Sequence, residues 1–316
     1  MPFENLKALL RTGTLQNDGY HLLLPELVEL DAHTAGLLAQ WSGYHMTLPM
    51  VRELDATAAR ALTAWSGEEL ELGLESLTPE VAKSLIRAAG QRLGLGSLRT
   101  LDAETARQLI PMLPDGSVEL HLGVPELDLQ TAEVLGSWSE GVNLELGLVS
   151  LSADVAERLV NWGQGVAQWG LYCLKTLDVQ TAAHLAIWNG EHLSLGVRRL
   201  DEEAASALAR WGGAELYLTG LSMPSFSCLR ALADWSGNLL SLSAVVELEE
   251  NDIWSLSDHN FGSLSLSGVK SLDVATAECL GRSTFSSLNL SGCTDLCPEA
   301  RDALRGFRGE LYLPGA

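Results

Sequence analysis

The sequence is poor in basic residues. It has 20 lysines and arginines against 41 aspartates and glutamates, which gives a formal net charge of -21 over 316 residues. Nonspecific binding to nucleic acid depends on positive side chains that contact phosphates, so we expect no nucleic-acid partner. An acidic protein attracts basic surfaces, and the composition therefore favours a partner with a basic surface.

Long apolar runs and export features are also missing. Hydrophobic residues make up 47% of the chain, yet no run approaches the roughly 18 apolar residues that suggest a membrane-spanning helix. The first residues, MPFENLKALLRTG, contain an early acid and lack the charged and apolar regions of a secretory signal. We therefore expect no membrane association and a cytoplasmic location.

Cysteine is scarce and shows no ligand spacing. The five cysteines are scattered along the chain, at Cys173, Cys228, Cys279, Cys293 and Cys297. Reduced thiols in a cytoplasm are the simplest interpretation. Cys293 and Cys297 have no second pair of ligands, and no HExxH-type spacing occurs. We expect neither a metal nor a cofactor.

What the sequence does contain is a repeat. A pattern that is clearest in Leu177–Gly196 recurs along most of the chain with a period of about 24 residues. Similar segments begin at Leu30, Leu54, Leu151 and Leu200. A fixed period of this length is typical of a stacked repeat protein, in which each unit buries its apolar face against its neighbours.

Each repeat predicts one strand and one short helix. Alternating apolar residues, such as Leu193 and Leu195, indicate a half-buried strand. Apolar residues then recur on one helix face, as at Ala182, Leu185 and Trp188. Ten of twelve units have a residue before the helix that can cap it: Asp31, Asp55, Thr78, Asp102, Asp128, Ser152, Asp178, Asp201, Ser225 and Asp273. The exceptions are Glu249 and Cys297.

The repeats divide the chain into three parts. We expect a cap helix in residues 1–19, twelve strand–helix repeats in residues 20–309 and a terminal edge strand in residues 310–316. Two prolines interrupt the fourth helix and predict a loop near residues 110–118. The tenth unit lacks the usual cap and tryptophan. For both irregularities, drifted repeats are favoured over local interaction features.

The pattern LxLxxLxxL followed by a helix resembles the leucine-rich repeat family over about residues 20–313. The last unit, Leu288–Leu304, is similar to the cysteine-containing variety. The resemblance implies an α/β solenoid with a parallel sheet on the concave face and short helices on the convex face, in a family that mostly binds proteins. Apolar residues replace the family's usual Asn or Cys at the strand end except at Cys293, so we expect no asparagine ladder.

A column of aromatic residues runs along the helices. Its members are Trp41, Trp65, Trp138, Trp162, Trp188, Trp211 and Trp235, and the corresponding positions in other units are Ala88, Met112, His259, Ser283 and Phe307. A periodic ring at the last helical turn favours a core stack over an exposed strip for glycans or bases.

The strand residues that point away from the core are predicted to form the binding face. Four of the seven histidines lie there, acids dominate its first and middle parts, and Ser and Asn dominate its last part. The acids would meet Lys or Arg of a protein partner, and His121 and Tyr217 would add amphipathic contact area. The predicted contact residues are Glu71, Glu119, His121, Glu145, His192, Glu215 and Tyr217.

For His121 with Glu119 and Glu145, a solvated polar face is favoured over a metal site.

The final strand, with Glu310, Leu311, Tyr312 and Leu313, has no helix behind it. Such an edge can pair with another chain, and it therefore predicts self-association. The alternative is that Pro314 caps the edge.

We interpret the sequence as a non-catalytic protein-binding scaffold. No phosphate-binding loop and no Ser/His/Asp spacing stands out. Three alternatives remain open: an acidic inhibitor or immunity-type partner of a basic nuclease or toxin, a structural subunit that assembles through its C-terminal edge, and an enzyme with unrecognised motifs.

Overall fold

The computed structural model describes residues 14–16, 19–109, 118–138, 142–161, 168–256 and 259–314. The chain divides into two compact units, Met1–Leu148 and Val149–Ala316. None of the described helices is long and apolar enough to cross a membrane.

The first unit alternates strands and helices. Strands β2 to β7 pair in parallel in chain order, and β1 pairs antiparallel with β2. Its strands are β1 (Thr14–Gln16), β2 (His21–Leu23), β3 (His45–Leu48), β4 (Glu69–Leu72), β5 (Arg92–Leu95), β6 (Val118–Leu122) and β7 (Val142–Leu146). Its described helices are α1 (Ala32–Leu38), α2 (Ala56–Leu62), α3 (Pro79–Ala88), α4 (Ala103–Gln108) and α5 (Leu129–Gly136).

The second unit repeats this arrangement, and its strands β8 to β14 also pair in parallel in chain order. The strands are β8 (Gln168–Leu171), β9 (His192–Leu195), β10 (Glu215–Leu218), β11 (Leu239–Ser241), β12 (Ser263–Ser265), β13 (Ser287–Asn289) and β14 (Glu310–Tyr312). The described helices are α6 (Ala153–Leu159), α7 (Val179–Leu185), α8 (Glu202–Leu208), α9 (Phe226–Ala233), α10 (Glu250–Ser255), α11 (Val274–Arg282) and α12 (Pro298–Leu304). Parallel strands that alternate with short helices confirm the leucine-rich-repeat-like architecture.

The helices begin where the sequence predicts. At α8, for example, the Asp201 carboxylate accepts a hydrogen bond of 2.8 Å from the backbone N–H of Ala204. This bond satisfies one of the first N–H groups of the helix, which have no partner within it. The tenth unit uses a different cap, in which Glu249 and Asp252 each accept a hydrogen bond from the other's backbone N–H. Its helix is therefore capped although the usual residue is absent.

Small residues after the strands are required by close packing between repeats. A Cβ on Gly196 would lie 1.8 Å from the carbonyl oxygen of Tyr172, and one on Gly220 would lie 2.0 Å from the carbonyl oxygen of Gly196. Among the described glycines only Gly19 has a positive φ, so close neighbouring backbone, and not a left-handed conformation, excludes a side chain here.

The described tryptophans of the aromatic column are buried, as the sequence predicts, and two phenylalanines that the sequence alignment did not include join them. The Trp188, Trp211 and Trp235 rings stack, with centroids 5.9 and 6.1 Å apart. The stack continues through Phe261 and Phe285, whose centroids are 5.6 Å apart. His259 and Ser283 were expected in this column. His259 does stack on Phe285, with centroids 4.1 Å apart, but the phenylalanine rings come two residues after the expected positions.

The reason is the shape of the repeat. Each tryptophan ring of the regular units lies over the glycine two residues later, so a Cβ on Gly237 would be 1.9 Å from the Trp235 ring. Where that glycine becomes Phe261 or Phe285, the new ring fills the same space from the other position. Both phenylalanines are buried.

Several predictions concern residues outside the described part of the chain. They are the cap helix, for which residues 1–13 and 17–18 are not described, the loop of residues 110–117, and Trp162. Strand β1 lies within the segment assigned to the cap. The division into residues 1–19, 20–309 and 310–316 stays a prediction.

Candidate functional site

The strand face of the first unit begins with two stacked histidines. The His21 and His45 rings are 4.1 Å apart with planes 10° apart. The Thr47 hydroxyl lies at the edge of both rings, 3.2 Å from His21 Nε2 and 3.3 Å from His45 Nε2. Register explains the contact, because His21 on β2 lies directly beside His45 on β3. We call His21, His45, Thr47, Glu69 and Glu71 the histidine cluster.

Two carboxylates complete the histidine cluster. His45 Nδ1 lies 3.4 Å from Glu69 Oε2, and Glu71 Oε2 lies 4.0 Å from His45 Nε2 and 3.5 Å from the Thr47 hydroxyl. Burial lowers the pKa of His21, and His45 lowers it further, while Glu71 and Glu69 act in the opposite direction. Glu71 thus takes part in a hydrogen-bonded group and remains 38% exposed.

The expected grouping of His121 with Glu119 and Glu145 forms only in part. His121 Nδ1 lies 4.0 Å from Glu145 Oε2 on the next strand. Glu119 instead pairs with Arg92, at 3.4 Å. Among the described residues, no group of three His, Cys, Asp or Glu side chains could hold a metal ion.

In the second unit, three of the predicted residues meet around one carboxylate. Glu215 Oε2 lies 2.9 Å from His192 Nδ1 and accepts a hydrogen bond from the Tyr217 hydroxyl. Burial and the hydrogen bond to Glu215 raise the pKa of Tyr217 to about 12. The phenol therefore stays a neutral donor at physiological pH.

Beyond β10 the strand face becomes small and neutral, as the sequence predicts. Ser241, Ser263, Ser265, Ser287 and Asn289 occupy it on strands β11 to β13. Strand β14 then adds Glu310 and Tyr312, both exposed, whereas Leu311 and Leu313 are partly buried. Within the described residues β14 is hydrogen-bonded to β13 only.

The predicted contact residues fall into two groups. Glu71, Glu119, His121 and Glu145 lie on the first unit, and His192, Glu215 and Tyr217 lie on the second.

Sequence reasoning did not single out four residues that shape these groups: His21, His45, Thr47 and Arg92. The available signal was the strand alignment, which places His21, His45, Glu69 and Arg92 in one row across four strands. Neighbours in such a row lie within reach of one another.

No protein-family model and no curated protein matches the sequence. Solved structures with a similar backbone trace include the TLR13–ssRNA13 complex, which matches at 17% identity and a TM-score of 0.48. The match covers 86% of this chain and 39% of the other chain. The Rad7 and Elc1 complex of yeast matches at 14% identity and a TM-score of 0.49, covering 96% and 82%. An LRR protein of Leptospira interrogans matches at 17% identity and a TM-score of 0.37, covering 100% and 95%.

Because the TM-scores are below 0.5, the fold assignment rests on the strand order and repeat spacing of this chain.

Proposed function

We propose that this protein is a non-catalytic scaffold that binds a protein with a basic surface through its strand face. The observation that supports this proposal is the charge of that face. Its described strand positions carry one arginine, Arg92, against six glutamates: Glu69, Glu71, Glu119, Glu145, Glu215 and Glu310. Such an excess attracts Lys and Arg and accelerates association with a basic partner.

The acidic side chains are both ordered and accessible. Glu69, Glu71, Glu119 and Glu145 are between 38% and 50% exposed. Side chains that are already held in place lose less conformational entropy on binding. The glutamates contacted by His45, His121 and His192 therefore suit recognition of fixed basic groups.

The proposal is tested by capture of partners from a source lysate at low salt. The wild type is compared with a Glu71→Lys/Glu119→Lys/Glu145→Lys variant, and bound proteins are identified by mass spectrometry. The matched control is Glu80→Lys/Glu104→Lys/Glu133→Lys, which makes the same charge change at exposed positions of α3, α4 and α5. A protein retained by the wild type and the control but lost by the strand-face variant supports the proposal. Equal loss in both variants would mean that the net charge of the protein alone, and not the strand face, determines retention of the partner.

An inhibitor of one basic protein, such as a nuclease or toxin, is a narrower form of the same proposal. The net charge of -21 supports it. It predicts one captured basic protein whose affinity falls steeply with salt.

Self-association through β14 is a second candidate. It is supported by the single hydrogen-bonded neighbour of β14 among the described residues. Light scattering of a chain lacking residues 310–316 tests it. An unchanged assembly state would exclude self-association through β14.

A further inference from the structure

Two strands of the second unit carry the same four residues. Glu215–Leu218 on β10 and Glu310–Leu313 at β14 both have the sequence ELYL. In each, the tyrosine hydroxyl donates a hydrogen bond to Oε2 of the glutamate two residues earlier, at 2.9 Å for Tyr312 and Glu310. Each strand therefore presents an aromatic ring beside a carboxylate on the strand face.

The positions between these two pairs form a neutral row. Tyr217 lies in register with Ser241, then come Ser265 and Asn289, and Tyr312 completes the row. The neighbouring row runs from Glu215 through Leu239, Ser263 and Ser287 to Glu310. The side chains between the two ends are uncharged and shorter than tyrosine. We call these two rows the β10–β14 trough.

The floor of the β10–β14 trough has free hydrogen-bonding capacity. The Ser241 side chain is only 5% exposed and is placed on the strand face, opposite the buried Leu240. Within the described residues the hydroxyls of Ser241, Ser265 and Ser287 form no hydrogen bond, and none of them is a fully buried orphan. Each hydroxyl can both donate and accept, so the floor offers sites for the amide groups of a ligand.

The ends of the trough have a different chemistry. A tyrosine ring attracts a cation through its face, and an adjacent carboxylate adds a charge-assisted hydrogen bond. The two ends are four strand spacings apart, about 19 Å. An extended chain advances about 3.3 Å per residue, so about six residues cover this distance.

We propose that the β10–β14 trough binds an extended peptide segment with a basic side chain at each end, about six residues apart, and small residues between. One Tyr–Glu pair receives each basic side chain, and the serine and asparagine side chains bond to the peptide backbone. This inference rests on the proposed function in taking the partner to be basic. A neutral oligosaccharide would also fit the floor, but the two carboxylates favour a cationic ligand.

The test uses the full chain and three labelled peptides in a fluorescence anisotropy titration. Each peptide has two arginines in a background of glycine and serine, spaced three, six or ten residues apart. The peptide with a spacing of six should bind about tenfold more tightly than the peptide with a spacing of three, because three residues reach only about 10 Å and cannot place a cation in both pairs. The peptide with a spacing of ten can also span both pairs, so it should bind more tightly than the peptide with a spacing of three. Tyr312→Ala and Ser265→Trp should each weaken its binding about tenfold.

Tyr20→Ala is the matched control, since Tyr20 is 55% exposed and lies on the first unit. It should leave the affinity unchanged. Circular dichroism establishes that each variant is folded, and Ser265→Trp probes the floor without removing either end.

Equal affinities for the three spacings, or no response to both trough variants, would overturn the proposal. Binding of a neutral oligosaccharide that both trough variants abolish would overturn it in favour of a glycan site. Failure of the peptide test would not contradict the proposed function, because the capture experiment changes different residues, Glu71, Glu119 and Glu145.

Discussion

Tryptophan and glycine act as a pair at the residue scale. In the regular units the indole occupies the volume that a side chain two residues later would need, and a Cβ on Gly213 would lie 2.0 Å from the Trp211 ring. The neighbouring Gly212 has open space around its Cβ position. Two adjacent glycines therefore differ in whether the core constrains them.

We predict that Gly213→Ala lowers the free energy of unfolding by about 1–3 kcal/mol, the usual cost of overpacking. Gly212→Ala should change it by less than about 0.5 kcal/mol. Urea unfolding of the two variants, made in the same background, measures the difference. Equal effects would show that the Trp211 ring moves aside without cost.

The histidine cluster should make stability depend on pH. The pKa of His21 is lower in the folded chain, mainly because of burial and then because of His45. At pH values just below 6.5, the ordinary pKa of histidine, the unfolded chain therefore binds more protons than the folded chain. Stability is fully present above that pH and is lost as the pH falls from there through the folded pKa.

Thermal unfolding at pH 7.5 and at pH 5.5 measures this effect. We expect the wild type to lose stability between the two conditions and His21→Gln to lose less. His184→Gln, on α7 of the second unit, is the control and should behave as the wild type. The helix caps Asp31 and Asp273 do not interfere, because their pKa values lie below 3.8. An unchanged pH response of His21→Gln would contradict the prediction.

At the scale of single elements, α12 differs from the other described helices in having a thiol as its N-cap. Its N-cap is Cys297, whose Sγ accepts from the backbone N–H of Ala300 at 3.4 Å. A thiol is a poorer acceptor than a hydroxyl. Replacing it should therefore strengthen the helix start.

We predict that Cys297→Ser raises the free energy of unfolding by about 0.5 kcal/mol, the lower end of capping effects. Cys173→Ser is the control, because Cys173 is equally a free, exposed cysteine and does not cap a helix. Chemical unfolding under reducing conditions compares the two. The same change in both variants would mean that the cap does not determine the result.

Elements are the level at which sequence reasoning succeeded most. The strand alternation and the cap residues follow from local chemistry that each repeat carries, and the structure shows the predicted caps. The alignment of His259 and Ser283 with the aromatic column was incomplete, because a phenylalanine two residues later also supplies a core ring in these units, and His259 stacks on Phe285. Only packing between repeats reveals this second ring.

The candidate site could be predicted less completely. The strand face and its acids follow from alternation along each strand. Glu119 pairs with Arg92, its direct register partner on β5, and not with His121, which lies two residues later on the same strand. Likewise, the contacts of the Thr47 hydroxyl with His21 Nε2 and His45 Nε2 depend on the register of neighbouring strands, which a single repeat does not reveal.

At the scale of the whole molecule, the excess of negative charge opposes folding. Acids exceed bases by 21, and this self-repulsion destabilises a compact state. Some ion pairs act against it, such as Arg52 and Arg99 on either side of Glu75, at 3.0 and 3.1 Å. Exposed pairs contribute only about 0–1 kcal/mol each, so repulsion should dominate.

We therefore predict that added salt raises the melting temperature. Screening shortens the Debye length from about 30 Å at 0.01 M to about 8 Å at 0.15 M. Thermal unfolding in NaCl and in KCl over this range should show the same increase, because screening depends on ionic strength. The Glu80→Lys/Glu104→Lys/Glu133→Lys variant makes the net charge six units less negative and should respond less. A melting temperature that falls with salt would mean that ion pairs such as Arg52–Glu75 outweigh the repulsion among the acids.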